Sequence, residues 1–433
     1  MSDNPPNPGL QPRITAVIER LHALYPRMID LSTIRLDRLL GLLGSPQLNL
    51  PPVIHVAGTN GKGSTCAFLR AIGEAAGLRV HVFTSPHLVR FNERIRLAGR
   101  IIDDETLEAA LTEVERVNDG APITVFEVLM AAAFMLFARI PAELCVLEVG
   151  LGGRHDATNV VQLPVACAIA SISLDHRELL GPTIEIIAGE KAGIMKPGVP
   201  VVTGLQPNAV LEVFRTEAAR IGTHLAARNT EWTISATEHG LRYTDASGSL
   251  DLPKPSLPGA FQHDNAGIAV AAIRASGLAI SDQAIAQGIA TAEWPARLQH
   301  LTGSLAATLP FGWELWLDGG HNPGGGQALA DHASGWADRP LHIIVGMKKA
   351  KDTADFLRPL LPHATTLWAV AEPGQHLALP VQDIIAASGK MARPGPTIAA
   401  AIAQLPPGPP ARVLICGSLY LAGEVLKADT PAS

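Results

Sequence analysis

Several residue types are scarce in this chain of 433 residues, and each shortage argues against a class of protein. The four cysteines are scattered, with neither a C-x-x-C pair nor the spacing of a zinc site, so we expect buried, reduced thiols. The chain has no Lys/Arg run, and its net charge is −6. Because a phosphate backbone demands clustered positive charge, nucleic acid is not expected as a partner.

Long hydrophobic runs are also missing. Met1–Gln11 is polar and proline-rich and has no apolar core of the kind that a secretory signal contains. The longest apolar run, Val128–Ala138, is shorter than the ~20 residues that a membrane-spanning helix needs. We therefore expect a cytoplasmic protein without a membrane partner.

The hydrophobic pattern predicts an α/β protein. Residues of the hydrophobic types make up 47% of the chain, and its length suggests two domains. In the first part, short β-branched runs alternate with stretches of helical spacing, which predicts a doubly wound, mostly parallel sheet. The predicted strands are Val53–Ala57, Val80–Phe83, Leu144–Val149, Val165–Ile172 and Pro200–Thr203, and the predicted helices are Ser64–Ala76, Asp104–Asn118, Phe126–Ala138 and Ile184–Ile194.

The second part of the chain predicts a smaller domain of its own. Short polar-alternating pieces within Thr223–Leu257 indicate a small antiparallel insertion. A second α/β series starts near Leu298 and predicts a Rossmann-like domain. A Trp-Pro pair at 294–295 interrupts the helical pattern between the insertion and this second series. We predict an N-terminal domain of residues 1–295 and a C-terminal domain of residues 296–433.

A glycine-rich segment, Gly58–Ser64, lies between a predicted strand and a predicted helix. Such a loop turns successive backbone N–H groups inward, and the helix N-terminus adds its positive dipole, so the segment can hold phosphate. Lys62 would reach the β- and γ-phosphates. The segment departs from the strict P-loop pattern, because Gly63 occupies the hydroxyl position and Ser64 follows it. We predict a nucleoside triphosphate site.

Polar residues also follow other predicted strands. Ser85, Glu148 and His176 come at or just after three strand ends, which line the ligand crevice of an open α/β sheet. A hydroxyl, a carboxylate and an imidazole could form part of a Mg²⁺ shell beside ATP phosphates. Taken singly, each residue also suits a cap, a solvated side chain or a core position. Lys191 could equally be a surface lysine, and Asp318 and His321 could belong to a helix-initiating turn.

Together these segments resemble the folylpolyglutamate synthase and dihydrofolate synthase family of the muramyl-ligase superfamily. The resemblance runs from about Ile29 to Leu426. It rests on the strings HVAGTNGKGST, TSPHL, TVFE, LEVGLGGR, SLDH, GEKAGIMKPG, FQHDN, WPARLQ, LDGGHNP and CGSLYLAGE, which occur in the family's order. Peptidoglycan ligases share the P-loop and the D-x-x-H-N-P pattern but not TSPHL or EVGLGGR.

The resemblance implies roles for particular residues in nucleotide and metal binding. ATP would be held by Thr59, Asn60, Gly61, Lys62, Gly63, Ser64, Asn265, Arg297 and Asp318. The catalytic residues would be Lys62, His321 near the γ-phosphate, and Lys191, which family members carry as a carbamate. Ser85, Glu148 and His176 would ligate Mg²⁺. Two magnesium sites are expected, and a monovalent cation such as K⁺ is a further option.

The resemblance also implies a pterin-binding surface. Its residues would be Ile29, Asp30, Leu31, Thr84, Thr124, Phe126, Glu127, His155, Asp156 and Ala157. Three positions depart from the family pattern. Ala296 replaces the usual glycine before Arg297, Gly320 replaces the usual alanine before His321, and His155 stands where an aliphatic residue is common. The last departure puts details of pterin contact in doubt.

The implied function is an ATP-dependent amide ligase. The enzyme would join L-glutamate to dihydropteroate and to reduced folates through an acyl phosphate, as a monomer acting on small-molecule substrates. Three alternatives remain: a monofunctional folylpolyglutamate synthase, a muramyl-peptide ligase, and a nucleotide-binding switch without catalysis. UDP-sugar peptides would distinguish the muramyl ligase, and a switch would not need a second α/β domain.

Overall fold

The computed structural model describes residues 12–24, 32–349, 351–375 and 377–429. The chain forms two compact units. The first contains the described residues up to Ile172 together with Arg177–Ser256 and Gln262–Glu293. The second contains Ser173–His176, Leu257–Phe261 and the described residues from Trp294 onward. Two short segments from earlier in the chain thus group with the second unit.

The first unit is built on an eight-stranded sheet with the order β4-β3-β2-β5-β1-β6-β7-β8. The pairings from β2 to β8 are parallel, and β3 and β4 add an antiparallel edge. β1, β2, β5 and β6 are buried along their whole length, as apolar strands covered on both faces should be. The strands are β1 (Val53–Ala57), β2 (Val80–Phe83), β3 (Ile95–Leu97), β4 (Arg100–Ile101), β5 (Leu144–Glu148), β6 (Ala166–Ile169), β7 (Val201–Thr203) and β8 (Leu225–Ala227).

Helices connect and cover these strands. Side chains cap several of them: Asp103 accepts a hydrogen bond from the Thr106 N–H, and Ser281 accepts one from the Ala284 N–H. α5 is buried along most of its length in the main core of this unit. The helices are α1 (Pro12–Leu24), α2 (Ile34–Leu42), α3 (Lys62–Ala75), α4 (Asp104–Asn118), α5 (Val125–Arg139), α6 (Arg177–Leu180), α7 (Ile184–Ala192), α8 (Asn208–Ile221), α9 (Phe261–Ala275) and α10 (Asp282–Thr291).

A small antiparallel sheet follows β8 in the first unit. It contains β9 (Trp232–Ala236), β10 (Gly240–Asp245) and β11 (Gly248–Pro253), with β10 in the middle. The predicted insertion is therefore present. Its predicted start was wrong, because β8 pairs in parallel with β7 and belongs to the large sheet.

The second unit has a six-stranded sheet with the order β12-β13-β17-β14-β15-β16. All its pairings are parallel except β12 with β13. The strands are β12 (Gln299–Leu301), β13 (Glu314–Leu317), β14 (Leu341–Val345), β15 (Thr366–Ala369), β16 (Arg393–Pro394) and β17 (Arg412–Cys416). The helices are α11 (Pro323–Ala333), α12 (Thr353–Leu357), α13 (Val381–Ala387), α14 (Ile398–Ala403) and α15 (Leu419–Ala428).

Two general expectations hold. The fold class is confirmed: a large mostly parallel sheet, a small antiparallel sheet and a second α/β unit. All four cysteines are buried and none forms a disulfide. In the part of the chain that the structure describes, no helix combines the length and apolar character that a membrane crossing requires.

Candidate active site

The glycine-rich loop joins the end of β1 to the start of α3. The N–H groups of Thr59 and Asn60 both donate to the Ser171 carbonyl, at 2.9 and 3.1 Å. The Lys62 ammonium donates to the Gly58 and Thr59 carbonyls at 3.1 and 3.3 Å. The lysine side chain therefore curls back over the loop, with its charge beside the N-terminus of α3. The backbone N–H groups at the N-terminus of α3, the dipole of this helix and the Lys62 ammonium together suit phosphate.

Side chains of α9 pack against this loop and hydrogen-bond to the start of α3. The Gln262 amide donates to the Ser64 hydroxyl at 3.2 Å, and the Asn265 amide donates to the Gln262 carbonyl oxygen at 2.8 Å. All three side chains are at most 5% exposed. Gly61 has a φ of +89°, and a Cβ there would lie 2.2 Å from the Asn265 Oδ1. Asn265 therefore lies directly against the loop, and its contact with ATP stays a prediction.

Two predicted metal ligands lie together at adjacent strand ends. β2 and β5 are neighbours, and the Ser85 N–H donates to the Glu148 Oε2 at 3.1 Å. Glu148 is 3% exposed. Hydroxyl and carboxylate oxygens are ligands that Mg²⁺ prefers, so this pair fits a magnesium site. Thr84, also buried, has its N–H bonded to the Arg94 carbonyl at 2.9 Å.

His176 groups with the second unit, and its role as a metal ligand stays a prediction. Among the described residues, no three His, Cys, Asp or Glu side chains cluster as a metal centre.

Lys191 lies in the last turn of α7 and is 4% exposed, so the surface-lysine alternative is wrong. The loop after β5 packs on the backbone of this turn. A Cβ on Gly153 would lie 2.6 Å from the Glu190 carbonyl oxygen, and the Arg154 N–H donates to that oxygen at 2.8 Å. The glycine therefore permits the close approach that places this loop against Lys191.

The predicted pterin residues at the start of α5 also make contacts that stabilise the fold. The Thr124 hydroxyl accepts a hydrogen bond from the Glu127 N–H, and the Glu127 carboxylate accepts one from the Thr124 N–H, which forms a capping box. Glu127 also pairs with Arg35 at 3.1 Å. Phe126 is half-buried and its ring lies over Gly150, where a Cβ would come within 2.5 Å of it.

The other predicted pterin residues differ in exposure. His155 is exposed, whereas Asp156 and Ala157 are buried. Asp156 accepts hydrogen bonds from the N–H groups of Thr158 and Leu151, both at 2.9 Å. Burial raises the pKa of Asp156, and these hydrogen bonds offset part of that effect. Ile29, Asp30 and Leu31 lie outside the described residues.

In the second unit, Asp318 organises the turn after β13. Its carboxylate accepts hydrogen bonds from the Leu298 N–H at 2.8 Å and the Gly320 N–H at 2.6 Å. Burial raises the pKa of Asp318, although the charge of Arg297 acts against that rise. Arg297 bonds the carbonyl oxygen of Ala296 at 2.9 Å. Two predicted ATP residues thus lie near each other in the second unit, Arg297 before β12 and Asp318 after β13.

His321 belongs to a cluster around Asp175. Its Nε2 lies 3.4 Å from the Asp175 carboxylate, and its Nδ1 lies 2.8 Å from the Gly319 carbonyl oxygen. Asn322 donates to the same carboxylate at 3.1 Å, and Lys351 forms an ion pair with it. Burial alone would raise the pKa of Asp175, but the hydrogen bond from His321 and the charge of Lys351 outweigh it and hold that pKa below its usual range.

Sequence reasoning missed four members of these clusters: Gln262, Asp175, Asn322 and Lys351. Gln262 lies in the FQHDN string, and Asp175 and Asn322 stand beside predicted site residues, so the motifs held a signal for these three. Lys351 carried no such signal, because it lies in a loop after β14 outside every quoted motif.

Known proteins of similar sequence and structure agree on one family. The dihydrofolate synthase/folylpolyglutamate synthase of Bacillus subtilis is 34% identical over 414 residues, which cover 91% of this chain and 94% of that protein. The solved structure of Escherichia coli FolC in complex with DHPP and ADP has a TM-score of 0.87 and 33% identity, and the match covers 98% of each chain. The chain belongs to the dihydrofolate synthase/folylpolyglutamate synthase family.

A second structure of the family extends the comparison. A bifunctional folylpolyglutamate synthase/dihydrofolate synthase with Mn, AMPPNP and L-glutamate bound has a TM-score of 0.84 and 31% identity, covering 98% of this chain and 99% of that one. No family model matches the chain. Membership in the dihydrofolate synthase/folylpolyglutamate synthase family confirms the resemblance that the motifs indicated.

Proposed function

We propose that this chain is an ATP-dependent ligase that joins L-glutamate to dihydropteroate and to reduced folates. The observation that carries the proposal is the loop at the end of β1, where the Lys62 ammonium lies within 3.1–3.3 Å of the loop carbonyls beside the N-terminus of α3. Relatives that cover nearly the whole chain carry both activities in their names, and solved relatives hold ADP or AMPPNP.

Nucleotide contacts are assigned to both parts of the chain. In the first unit we assign them to Thr59, Asn60, Gly61, Lys62, Gly63, Ser64 and Asn265. In the second unit we assign them to Arg297 and Asp318. Ser85, Glu148 and His176 would hold Mg²⁺, which supplies positive charge beside the ATP phosphates when bound. Two magnesium sites and a monovalent cation stay predictions.

The proposed reaction begins with activation of the substrate carboxylate, because a carboxylate does not form an amide with an amine at neutral pH. The carboxylate oxygen attacks the γ-phosphorus of ATP, the bond to the β–γ bridging oxygen breaks, and ADP leaves. The α-amino group of L-glutamate then attacks the acyl phosphate, loses a proton, and phosphate leaves as the amide forms. Lys62 offsets the charge that moves during phosphoryl transfer.

Two further residues are assigned catalytic roles. His321 would act near the γ-phosphate, and its ring is held by the Gly319 carbonyl and the Asp175 carboxylate. Lys191, as a carbamate, would present negative charge near the metal. Lys191 is 4% exposed, and the loop after β5 packs on the backbone of its turn.

We assign the pterin surface to the loop after β5, the start of α5 and the end of β2. The residues are Thr84, Thr124, Phe126, Glu127, His155, Asp156 and Ala157, with Ile29, Asp30 and Leu31 as a prediction outside the described residues. Phe126 offers a half-buried ring beside Gly150, which suits a flat heterocycle. A monomeric state and a cytoplasmic location also stay predictions.

The decisive experiment is ADP release from Mg-ATP and L-glutamate with dihydropteroate, with tetrahydrofolate and without an acceptor. Turnover with both pterins is expected. Turnover with tetrahydrofolate alone would reduce the function to folylpolyglutamate synthesis. ADP release equal to the blank in every reaction would refute the proposal, and UDP-sugar peptides would then be tested.

A variant of the loop lysine tests the mechanism. Lys62→Ala should abolish turnover with both pterins while the circular dichroism spectrum stays that of the unchanged chain. Normal glutamate ligation by this variant would contradict the phosphoryl-transfer role of Lys62.

A further inference from the structure

A chain of three polar side chains is buried behind the loop that follows β5. His55 lies in the middle of β1, and its Nε2 is 2.8 Å from the Thr158 hydroxyl. That hydroxyl lies 2.5 Å from the Asp156 carboxylate and donates to it. His55 and Thr158 are fully buried and Asp156 is 3% exposed. Asp156 is therefore linked to the central strand of the sheet through Thr158.

The direction of the hydrogen bonds follows from their geometry. Because the Thr158 hydroxyl gives its single proton to Asp156, it must accept a hydrogen bond from His55. His55 therefore carries its proton on Nε2. Burial lowers the pKa of His55 to about 3, helped by the charge of Lys196, so the ring is neutral at physiological pH. No group among the described residues hydrogen-bonds its Nδ1.

A histidine at this place is costly for the fold alone. The other positions of β1 are apolar, and all five are buried. An aliphatic side chain at position 55 would avoid burying a polar ring with one unsatisfied nitrogen. Among the described residues, the His55 side chain hydrogen-bonds only to Thr158. The stabilising effect of the histidine therefore acts through the contacts that Thr158 makes.

Thr158 and Asp156 set the shape of the loop. Asp156 accepts hydrogen bonds from the Leu151 N–H on one oxygen and from the Thr158 N–H on the other, and caps the short helical turn Ala157–Val160. The carboxylate thereby closes residues 151–158 into one loop, which carries His155. This is the loop that the proposed function places against the pterin.

We infer that His55 is a positioning residue for the pterin substrate, acting through Thr158 on Asp156 and its loop. The inference rests on the proposed function, because it takes the loop after β5 as part of the pterin surface. His55 itself does not touch the substrate. By orienting the Thr158 hydroxyl toward Asp156, it keeps the loop in its binding shape.

The test compares variants that remove the bond with variants that keep it. His55→Leu and Thr158→Val each remove one partner while staying close in volume, and His55→Gln keeps an N–H near the position of Nε2. His55→Leu should raise the KM for dihydropteroate by about tenfold, the effect of losing one hydrogen bond of ordinary strength. Thr158→Val removes both hydrogen bonds of the hydroxyl and should raise that KM at least as much. The KM for ATP should change by less than about twofold, because the nucleotide loop is untouched. His55→Gln and Thr158→Ser should restore most of the pterin KM.

His81 provides a matched control. It is also fully buried and lies on the parallel strand β2, which β5 separates from β1. There it bonds the Ile140 carbonyl at 2.9 Å and accepts from the Ala98 N–H at 3.1 Å. His81→Leu removes a buried imidazole away from the loop. It should lower the melting temperature without a selective rise in the pterin KM.

Each outcome decides the inference. An unchanged pterin KM in His55→Leu and Thr158→Val, an equal rise in the KM for ATP, or the same pterin effect in His81→Leu would overturn it. If His55→Leu does not fold, Thr158→Val and Thr158→Ser decide on the same criteria. Failure of the proposed function looks different, because the unchanged chain would then release no ADP with any pterin.

Discussion

Gly61 has a left-handed backbone at the start of α3, so Gly61→Ala is a direct test of the nucleotide loop. Its φ is +89°, and a Cβ would stand 2.2 Å from Oδ1, 3.0 Å from Cγ and 3.3 Å from Nδ2 of Asn265. All three atoms belong to an amide that is 5% exposed and bonded to Gln262 at 2.8 Å. The new methyl group would therefore push aside a side chain that has little room to move.

The free-energy cost of Gly61→Ala has two parts. An alanine in left-handed backbone costs about 1–2 kcal/mol more than glycine. Displacing the Asn265 amide breaks its bond to Gln262, at about 1 kcal/mol. If the variant relieves both by distorting the loop, nucleotide binding must restore the original shape. The total of about 2–3 kcal/mol then corresponds to about 30- to 140-fold weaker binding.

Gly77→Ala provides the matched control. Gly77 also has a positive φ, +79°, but a Cβ there would meet nothing within 4 Å, and it lies just beyond the other end of α3. Titration calorimetry with Mg-ADP should show the loss in Gly61→Ala only, while both variants melt at somewhat lower temperature. Mg-ADP binding by folded Gly61→Ala within about threefold of the unchanged chain would refute the assignment of this loop to phosphate.

Two further predictions follow from burial. Burial raises the pKa of every cysteine thiol, to about 12 for Cys167. The native chain should therefore not react with a thiol reagent at about pH 8, and all four thiols should react after unfolding. Fast labelling of the native chain would contradict this prediction. Arg35→Met leaves the Glu127 carboxylate, 3% exposed, without its ion-pair partner, and should lower the free energy of unfolding by about 3 kcal/mol in urea titrations. The double variant with Glu127→Gln should recover much of that loss, and a single-variant loss below about 1 kcal/mol would show that the pair is already well solvated.

The interior strands were predictable from sequence, and the edges of the sheet were not. β1, β2 and β5 are apolar at all but one position each because helices cover both faces, so their sequences mark them as buried strands. β4 is exposed at both of its residues and pairs through its backbone, which leaves no hydrophobic pattern. β8 also lacks a clear hydrophobic pattern, since two of its three residues are half-buried. Its pairing with β7 depends on the crossover of the chain through α8.

Site residues were predictable where a motif names them, but the contacts that hold them were not. Ser85 and Glu148 lie far apart in sequence and meet only because β2 and β5 are neighbours in the sheet. Lys351 pairs with Asp175 across a still longer sequence separation in the second unit. His55, inside an apolar strand, has the sequence environment of a core residue. Its link to Asp156 exists only once Thr158 has been folded against β1.

The departure at Ala296 shows what a motif comparison leaves out. As a change from glycine to alanine it is small in volume, but Ala296 has a φ of +55°, and Leu298, two residues on, has a φ of +44°. Both are backbone conformations that cost an L-residue about 1–2 kcal/mol, a cost that glycine avoids. Ala296 and Leu298 flank Arg297 in the sequence, and the Leu298 N–H donates a hydrogen bond to Asp318. The strain is therefore concentrated around the two second-unit residues proposed to bind ATP, where surrounding hydrogen bonds maintain it. Strained backbone of this kind clusters at active sites and ligand clamps, which agrees with the ATP contacts proposed for Arg297 and Asp318.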